Sequence, residues 1–148
     1  MQIIASNKKG NFNYNIIEKY ETGIVLTGPE VKSLRVNTAS IKESYILEKK
    51  GELWLTNCHI KKYSSSSSND DNQYRQRKIL VKKKELNKIL GFLKKDRLSI
   101  VPLLMYFNNK GIAKLSIGLG KGKKLHDKRA GIKEKEWNIK KNRLEKNK

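Results

Sequence analysis

Leu98-Ser99-Ile100-Val101-Pro102-Leu103-Leu104-Met105-Tyr106-Phe107, then Asn108-Asn109-Lys110-Gly111, then Ala113-Lys114-Leu115-Ser116-Ile117-Gly118-Leu119 is the stretch on which the fold turns. The first run is apolar on both alternating faces, which predicts a central, well-buried strand. Asn108 to Gly111 supplies a turn, with Gly111 free to take a positive φ. The second run alternates, with Ala113, Leu115, Ile117 and Leu119 on one face and Lys114, Ser116 and Gly118 on the other. Working outward, Leu86, Ile89, Leu90 and Leu93 fall at i, i+3, i+4 and i+7, so Lys82 to Lys95 reads as a helix.

Further upstream, Phe12 to Thr27 reads as two short strands around a bend at Gly23, the second being Ile24-Val25-Leu26. Gly28-Pro29-Glu30 has the chemistry of a helix start: proline tolerates the first turn, and an acid suits the positive end of the dipole. Val31 and Leu34 should face the core of this short helix, Lys32 and Arg35 should point outward, and Asn37 should end it. Ser44 to Leu47 and Leu53 to Ile60 predict a hairpin around Lys49-Lys50-Gly51. Ser64 to Asn72, with five serines, has no apolar anchor and reads as a flexible loop. Several short antiparallel strands with one long helix predict a mainly β fold, a small antiparallel barrel flanked by short helices.

The chain has 148 residues, one domain's worth, and its 34 Lys+Arg against 14 Asp+Glu leave a net charge of +20. That excess opposes compaction and attracts polyanions, nucleic acid above all. Lysine outnumbers arginine 28 to 6 and Asn and Ile are plentiful, as AT-rich genomes produce. Codon bias does not explain why the acids fail to rise in step. The single Cys58 excludes an intrachain disulfide framework and fits a reducing compartment. Cys58, His59 and His126 are too few for a structural zinc site. No apolar run approaches the roughly 18–20 residues of a membrane span, and Met1 to Gly10 lacks a signal-peptide core. A cytoplasmic protein with no membrane partner is expected.

At Gly120 the composition changes. Residues 121–148 carry 12 Lys/Arg against 4 Asp/Glu, with Leu125, Ile132, Trp137, Ile139 and Leu144 their only large apolar residues. Such a segment cannot bury enough surface to offset ordering, so residues 1–120 are expected as the folded domain and 121–148 as a basic tail disordered in isolation. The loose apolar stripe would let it fold as a helix against RNA.

No catalytic constellation assembles. Gly118-Leu119-Gly120-Lys121-Gly122-Lys123-Lys124 is one residue short of a P-loop and lacks the Ser/Thr after lysine. His59 lies in a strand and His126 in the tail, with no distinct base, nucleophile and orienting acid to assemble, and Cys58 reads as a small core residue. No enzyme, cofactor or metal is expected. What remains is recognition: Tyr74-Arg75-Gln76-Arg77-Lys78 and Asn7-Lys8-Lys9 join cations for phosphate to planar groups able to stack on bases. Oligonucleotide-binding barrels use that combination.

The order of blocks carries a resemblance. Asn7-Lys8-Lys9, Glu21-Thr22-Gly23-Ile24, Gly28-Pro29-Glu30-Val31-Lys32-Ser33-Leu34-Arg35, Ser44-Tyr45, Gly51-Glu52, Arg75-x-Arg77-Lys78-Ile79-Leu80, Val101-Pro102-Leu103 and Tyr106 are followed by Gly120-x-Gly122-Lys123-Lys124-Leu125-His126-Asp127-Lys128-Arg129. Over nearly the whole chain this resembles the SsrA-binding protein (small protein B) family of bacteria. Pro29, and the missing proline before Arg75, depart from the pattern.

The resemblance implies an adaptor of trans-translation with an oligonucleotide-binding-like barrel. Its partners would be the tRNA-like domain of transfer-messenger RNA (tmRNA), alanylated tmRNA with elongation factor Tu, and the decoding centre and mRNA channel of stalled ribosomes. It places Asn7, Glu21 and Leu80 on the tmRNA surface, with Lys8, Lys9, Lys32, Arg35, Arg75, Arg77 and Lys78 as candidate phosphate contacts. It assigns Lys123, Lys124, His126, Asp127, Lys128, Arg129 and Trp137 to a ribosome-binding tail. The alternative from another class is a structural ribosomal protein, a small barrel with a basic extension in rRNA.

Overall fold

The computed structural model describes residues 1–36, 39–63, 73–95 and 97–122. Its elements are β1 (Gln2–Ser6), α1 (Lys8–Asn13), β2 (Tyr14–Ile24), α2 (Gly28–Val36), β3 (Ala39–Ser40) and β4 (Tyr45–Lys49). These are followed by β5 (Glu52–Thr56), β6 (His59–Ile60), β7 (Arg77–Leu80), α3 (Lys83–Lys95), β8 (Ser99–Phe107) and β9 (Ala113–Gly122). Seven strands form one antiparallel sheet in the order β1-β8-β9-β2-β7-β5-β4, and β3 pairs with β6 in a separate ribbon. The sheet curls until β4 lies against β8. No ladder joins its edges β1 and β4 among the described residues. The expected small barrel is therefore an open one.

The β8–β9 hairpin forms where the alternation places it. Asn108 Oδ1 accepts the backbone N–H of both Lys110 and Ile112 at 2.9 Å, and Gly111 takes φ +75°. Pro102 stands in this central strand beside a register shift at Leu103, where an interrupted ladder tolerates its missing N–H. The β4–β5 hairpin closes on Lys50 and Gly51 at φ +52° and +77°, the two left-handed positions of a type I′ turn.

A reciprocal cap starts α2. Thr27 Oγ1 accepts the Glu30 N–H at 3.3 Å while Glu30 Oε1 accepts the Thr27 N–H at 2.9 Å. Leu34 is buried, Val31 packs on the core, and Lys32 and Arg35 stay exposed, as the sequence predicts. In α3 three of the four predicted apolar positions serve the core: Ile89 is fully buried and Leu86 and Leu93 pack against it, while Leu90 is half-buried and Phe92, which the periodicity left out, packs on the core as well. Lys88 of α3 pairs with Glu18 of β2 at 3.1 Å, and Glu18 in turn accepts from the Tyr20 hydroxyl. Gly91 faces outward in mid-helix with nothing within 4 Å of where a Cβ would stand. Relative to alanine this costs about 0.5–1 kcal/mol.

The main core gathers Ile41, Leu53, Leu55, Met105, Leu115, Ile117 and Leu119, each at most 1% exposed. Burying each such side chain contributes about 1.5–3 kcal/mol. The opposite face of β8 and β9 is also covered. A Cβ at Gly118 would stand 2.9 Å from Leu103 Cδ1, and one at Gly10 of α1 would stand 2.7 Å from Val101 Cγ1. Burial on both faces explains why Leu98 to Phe107 reads apolar throughout. Cys58 is fully buried, and its burial pushes the thiol up to about 11.

Three expectations change. Phe12 to Thr27 does not fold as two strands: β2 is continuous through Gly23, which pairs with Lys114 on one side and Leu80 on the other, and Val25 and Leu26 lie beyond its end. Leu53 to Ile60 is not one strand, because Asn57 turns left-handed at φ +60° and sends His59–Ile60 to β3. Strand β9 runs to Gly122, with Lys121 opposite Asn15, so regular pairing extends past Gly120. The predicted stop at Asn37, the loop Ser64 to Asn72, and the tail residues Lys123, Lys124, His126, Asp127, Lys128, Arg129 and Trp137 lie outside the described residues. No helix among the described residues is long and apolar enough to cross a membrane.

Candidate nucleic-acid interface

Register decides which polar groups meet. In β2 the even positions from Tyr20 to Ile24 turn toward the core, leaving Lys19, Glu21 and Gly23 on the outer face. Glu21 lies opposite Ser116, and Gly23 lies between Lys114 and Leu80. One residue further across, Tyr106 is opposite Lys114. The sheet thus brings Glu21 and Leu80, 59 positions apart in sequence, onto one outer surface. Leu80 is 51% exposed, so it is not a core residue. A Cβ at Gly23 would stand 3.3 Å from the Leu80 Cβ and 3.7 Å from its Cδ1, so glycine here leaves the Leu80 side chain room that any other residue would crowd.

Tyr106 donates to the Glu21 carboxylate; burial, then this hydrogen bond, pushes the phenol above its ordinary range. Glu21 is thereby oriented yet exposed. The surface offers a fixed acceptor, a lysine beside it and an apolar side chain. A carboxylate that accepts from base edges and a leucine that packs on an unstacked ring suit single-stranded or looped RNA. The hydroxyl of Tyr106 and the cation of Lys114 escaped the sequence reading; only the β8–β9–β2 register reveals them.

The N-terminal cluster divides. Asn7 is 4% exposed and caps α1. Its Oδ1 accepts the Gly10 N–H at 3.1 Å and its Nδ2 donates to the Pro102 carbonyl at 2.8 Å. That amide positions α1, while Lys8 and Lys9 remain exposed on it. Lys9 pairs loosely with Glu43, at 3.6 Å, across the mouth of a cleft of about 370 Å³ between α1, β4 and β8. Tyr14, Lys42 and Tyr45 line the same cleft.

The Arg75-Gln76-Arg77-Lys78 run also divides. Arg77 is fully buried, so the candidate phosphate contact is an interior group. Its Nε donates to Glu30 Oε2 at 2.5 Å, and its terminal nitrogens donate to the Cys58 carbonyl at 2.8 Å and the Gln73 carbonyl at 3.2 Å. Arg75, part-buried, holds the other oxygen of Glu30 at 2.5 Å. Burial pushes the Glu30 carboxyl up, but the Thr27 N–H and the two guanidinium groups outweigh it and hold the carboxyl below its usual range. Lys78 faces outward, paired with Glu52 at 3.2 Å. On α2, the Lys32 ammonium sits 5.9 Å from the centre of the Tyr63 ring. His59 Nε2 donates to Gln73 Oε1 at 2.6 Å, with its ring 5.0 Å from that of Tyr74. Among the described residues no three His, Cys, Asp or Glu side chains gather as a metal site.

Fold and surface together define a class: a small, open antiparallel barrel with a cation excess of +20 and an exposed sheet face fitted to a polyanion carrying bases. The SmpB protein family matches residues 4–147. The chain is 53% identical over 144 residues to the SsrA-binding protein of Ehrlichia ruminantium (strain Gardel), covering 97% of each. It is 49% identical over 147 residues to that of Wolbachia pipientis subsp. Culex pipiens (strain wPip), covering 99% of each. A solved chain described as "tmRNA-SmpB: a journey to the center of the bacterial ribosome" superposes with a TM-score of 0.64 at 41% identity, over 81% of this chain and 84% of that one. The chain belongs to the SmpB family, the SsrA-binding proteins.

Proposed function

We propose that the chain is the RNA-binding adaptor of trans-translation, a cytoplasmic protein that binds the tRNA-like domain of tmRNA and delivers it to stalled ribosomes for rescue and peptide tagging. It performs no covalent step. The observation that carries this reading is the convergence of Glu21 and Leu80 on one exposed sheet face, with Gly23 between them, in a chain of the SsrA-binding family. Lys8, Lys9, Lys32, Arg35 and Lys78 supply phosphate affinity around that face, and Arg75 stands at its margin. Asn7 and Arg77 act from inside, holding α1 and α2 in place. The tail, through His126 to Arg129 and Trp137, occupies the decoding centre and empty mRNA channel. Delivery proceeds as alanylated tmRNA with elongation factor Tu.

RNA that co-purifies with the protein is the direct test. One dominant species with a tRNA-like end is expected; equimolar co-sedimentation with all ribosomes would instead mark a structural ribosomal protein. Glu21→Ala should weaken tmRNA binding more than binding to unrelated RNA, whereas Lys8→Ala should weaken both alike. Equal losses for Glu21→Ala would remove its base-reading role. Scrambling residues 126–148 at constant composition should leave tmRNA affinity intact and abolish alanine transfer on stalled ribosomes.

A further inference from the structure

The outer face of α3 combines two choices that each work against an isolated helix. At 3.6 residues per turn, turning Leu86, Ile89 and Leu93 inward puts Gly91 at the centre of the opposite face. Its neighbours one turn away are Asn87, Lys88, Lys94 and Lys95, with Lys84 in line beyond them, and all six residues are exposed. Lys84 and Lys88 are like charges at i,i+4, which repel. Glycine at mid-helix forfeits helix propensity, and here no close neighbour explains it, since nothing lies within 4 Å of a Cβ. Among the described residues the facing acids are few: Glu18 of β2, paired with Lys88 at 3.1 Å, and the part-buried Glu85 on the flank of α3. Lys94 and Lys95 also favour the negative end of the helix dipole, but neither the position of Lys84 nor that of Gly91 gains from it.

A ligand that needs close approach to bare backbone, and cations around the point of approach, accounts for both choices. We infer that the outer face of α3 docks an RNA sugar–phosphate backbone, with Gly91 as the point of closest approach and Lys84, Lys94 and Lys95 as its phosphate contacts. The occupant is the RNA that meets the Glu21–Leu80 face. Strand β7 ends at Leu80 and α3 begins at Lys83, so the exposed Lys82, Lys83 and Lys84 follow Leu80 within four residues and keep the start of α3 close to that face. The inference rests on the RNA-binding reading above.

The test uses the full-length protein and fluorescence anisotropy with the labelled tRNA-like domain of tmRNA. Gly91→Ala adds one methyl group, leaves the charge unchanged and favours the helix, so it should melt at or above the wild-type temperature yet bind about 3-fold more weakly. Gly91→Gln, longer and still neutral, should bind about 10-fold more weakly. The double variant Lys84→Gln/Lys95→Gln spares the Lys88–Glu18 pair. It should flatten the slope of log K against log[salt] by about 1.4–1.8, two contacts' worth. If wild-type protein does not prefer tmRNA to an unrelated hairpin RNA, the functional reading itself fails. If it does, but the Gly91 variants and the lysine pair bind as wild type does, the α3 surface alone is overturned. Unchanged tmRNA affinity with weakened ribosome binding overturns it equally, because the occupant would be a different RNA.

Discussion

Removing the Glu30 carboxylate should come close to unfolding the protein. In Glu30→Ala the fully buried Arg77 guanidinium keeps two carbonyl acceptors, of Cys58 and Gln73, and loses the carboxylate that balances its charge. Leaving a buried charge without its partner costs about 3–5 kcal/mol. The same substitution removes the carboxylate half of the Thr27–Glu30 cap, a loss of about 1 kcal/mol. Arg75, part-buried, recovers much of its loss by hydration. The sum, about 4–6 kcal/mol, is comparable to the whole stability of a small domain, about 5–15 kcal/mol. Urea denaturation followed by far-ultraviolet circular dichroism at pH 7 gives the difference directly. A second variant isolates the cause: Glu30→Ala/Arg77→Met removes the orphaned charge and should be more stable than Glu30→Ala alone. A loss below about 1 kcal/mol for Glu30→Ala, or a double variant less stable than the single one, would refute the claim that Arg77 is an interior charge dependent on Glu30.

Three further outcomes follow from the same geometry. Because the folded Glu30 carboxyl titrates below its unfolded value, about 4.3, its contribution is complete above that pH and is lost as pH falls through the lower folded value. The acid limb of a stability–pH profile should therefore be shallower in Glu30→Gln. A Cβ at Gly120 would stand 3.0 Å from Ile16 Cδ1 and 3.1 Å from both the Asn15 carbonyl and Tyr14 Cβ, so Gly120→Ala should cost about 1–3 kcal/mol in the same urea titration. Cys58, fully buried with its thiol pushed up to about 11, should react with a thiol reagent at least about 10³-fold more slowly in the native protein than in urea, and wild-type rates near those in urea would contradict its place in the core.

How much of this was legible depended on how local each cause was. The α3 periodicity, the double-faced apolarity of Leu98 to Phe107 and the alternation of Ala113 to Leu119 each lie within one element, and each formed as read. Strand β1 pairs only with β8 at the sheet edge, and its five residues carry no alternation strong enough to announce it. Helix α1 is six residues long, too short to form alone, and depends on Asn7 reaching Pro102. Gly23 reads as a bend, yet pairing on both sides holds it extended. Among the candidate site residues, Glu21 and Leu80 were singled out by the order of family blocks alone, and only the register shows that they share a face. The burial of Arg77 was not legible: in an Arg-x-Arg-Lys run it reads as a surface cation until Glu30, 47 positions away, is brought against it.

The Gln73 backbone has a role beyond supporting Arg77. Its carbonyl accepts the Ile60 N–H at 3.0 Å as well as the Arg77 guanidinium, and its side chain takes the His59 bond. The chain is thus clamped on either side of residues 64–72 by contacts made outside them. Adding residues to a segment whose ends are already pinned costs only the logarithm of its length, about 0.6 kcal/mol per doubling. The connection is therefore a splice point, where an epitope or a second small domain can be inserted while the Glu21–Leu80 face keeps its register.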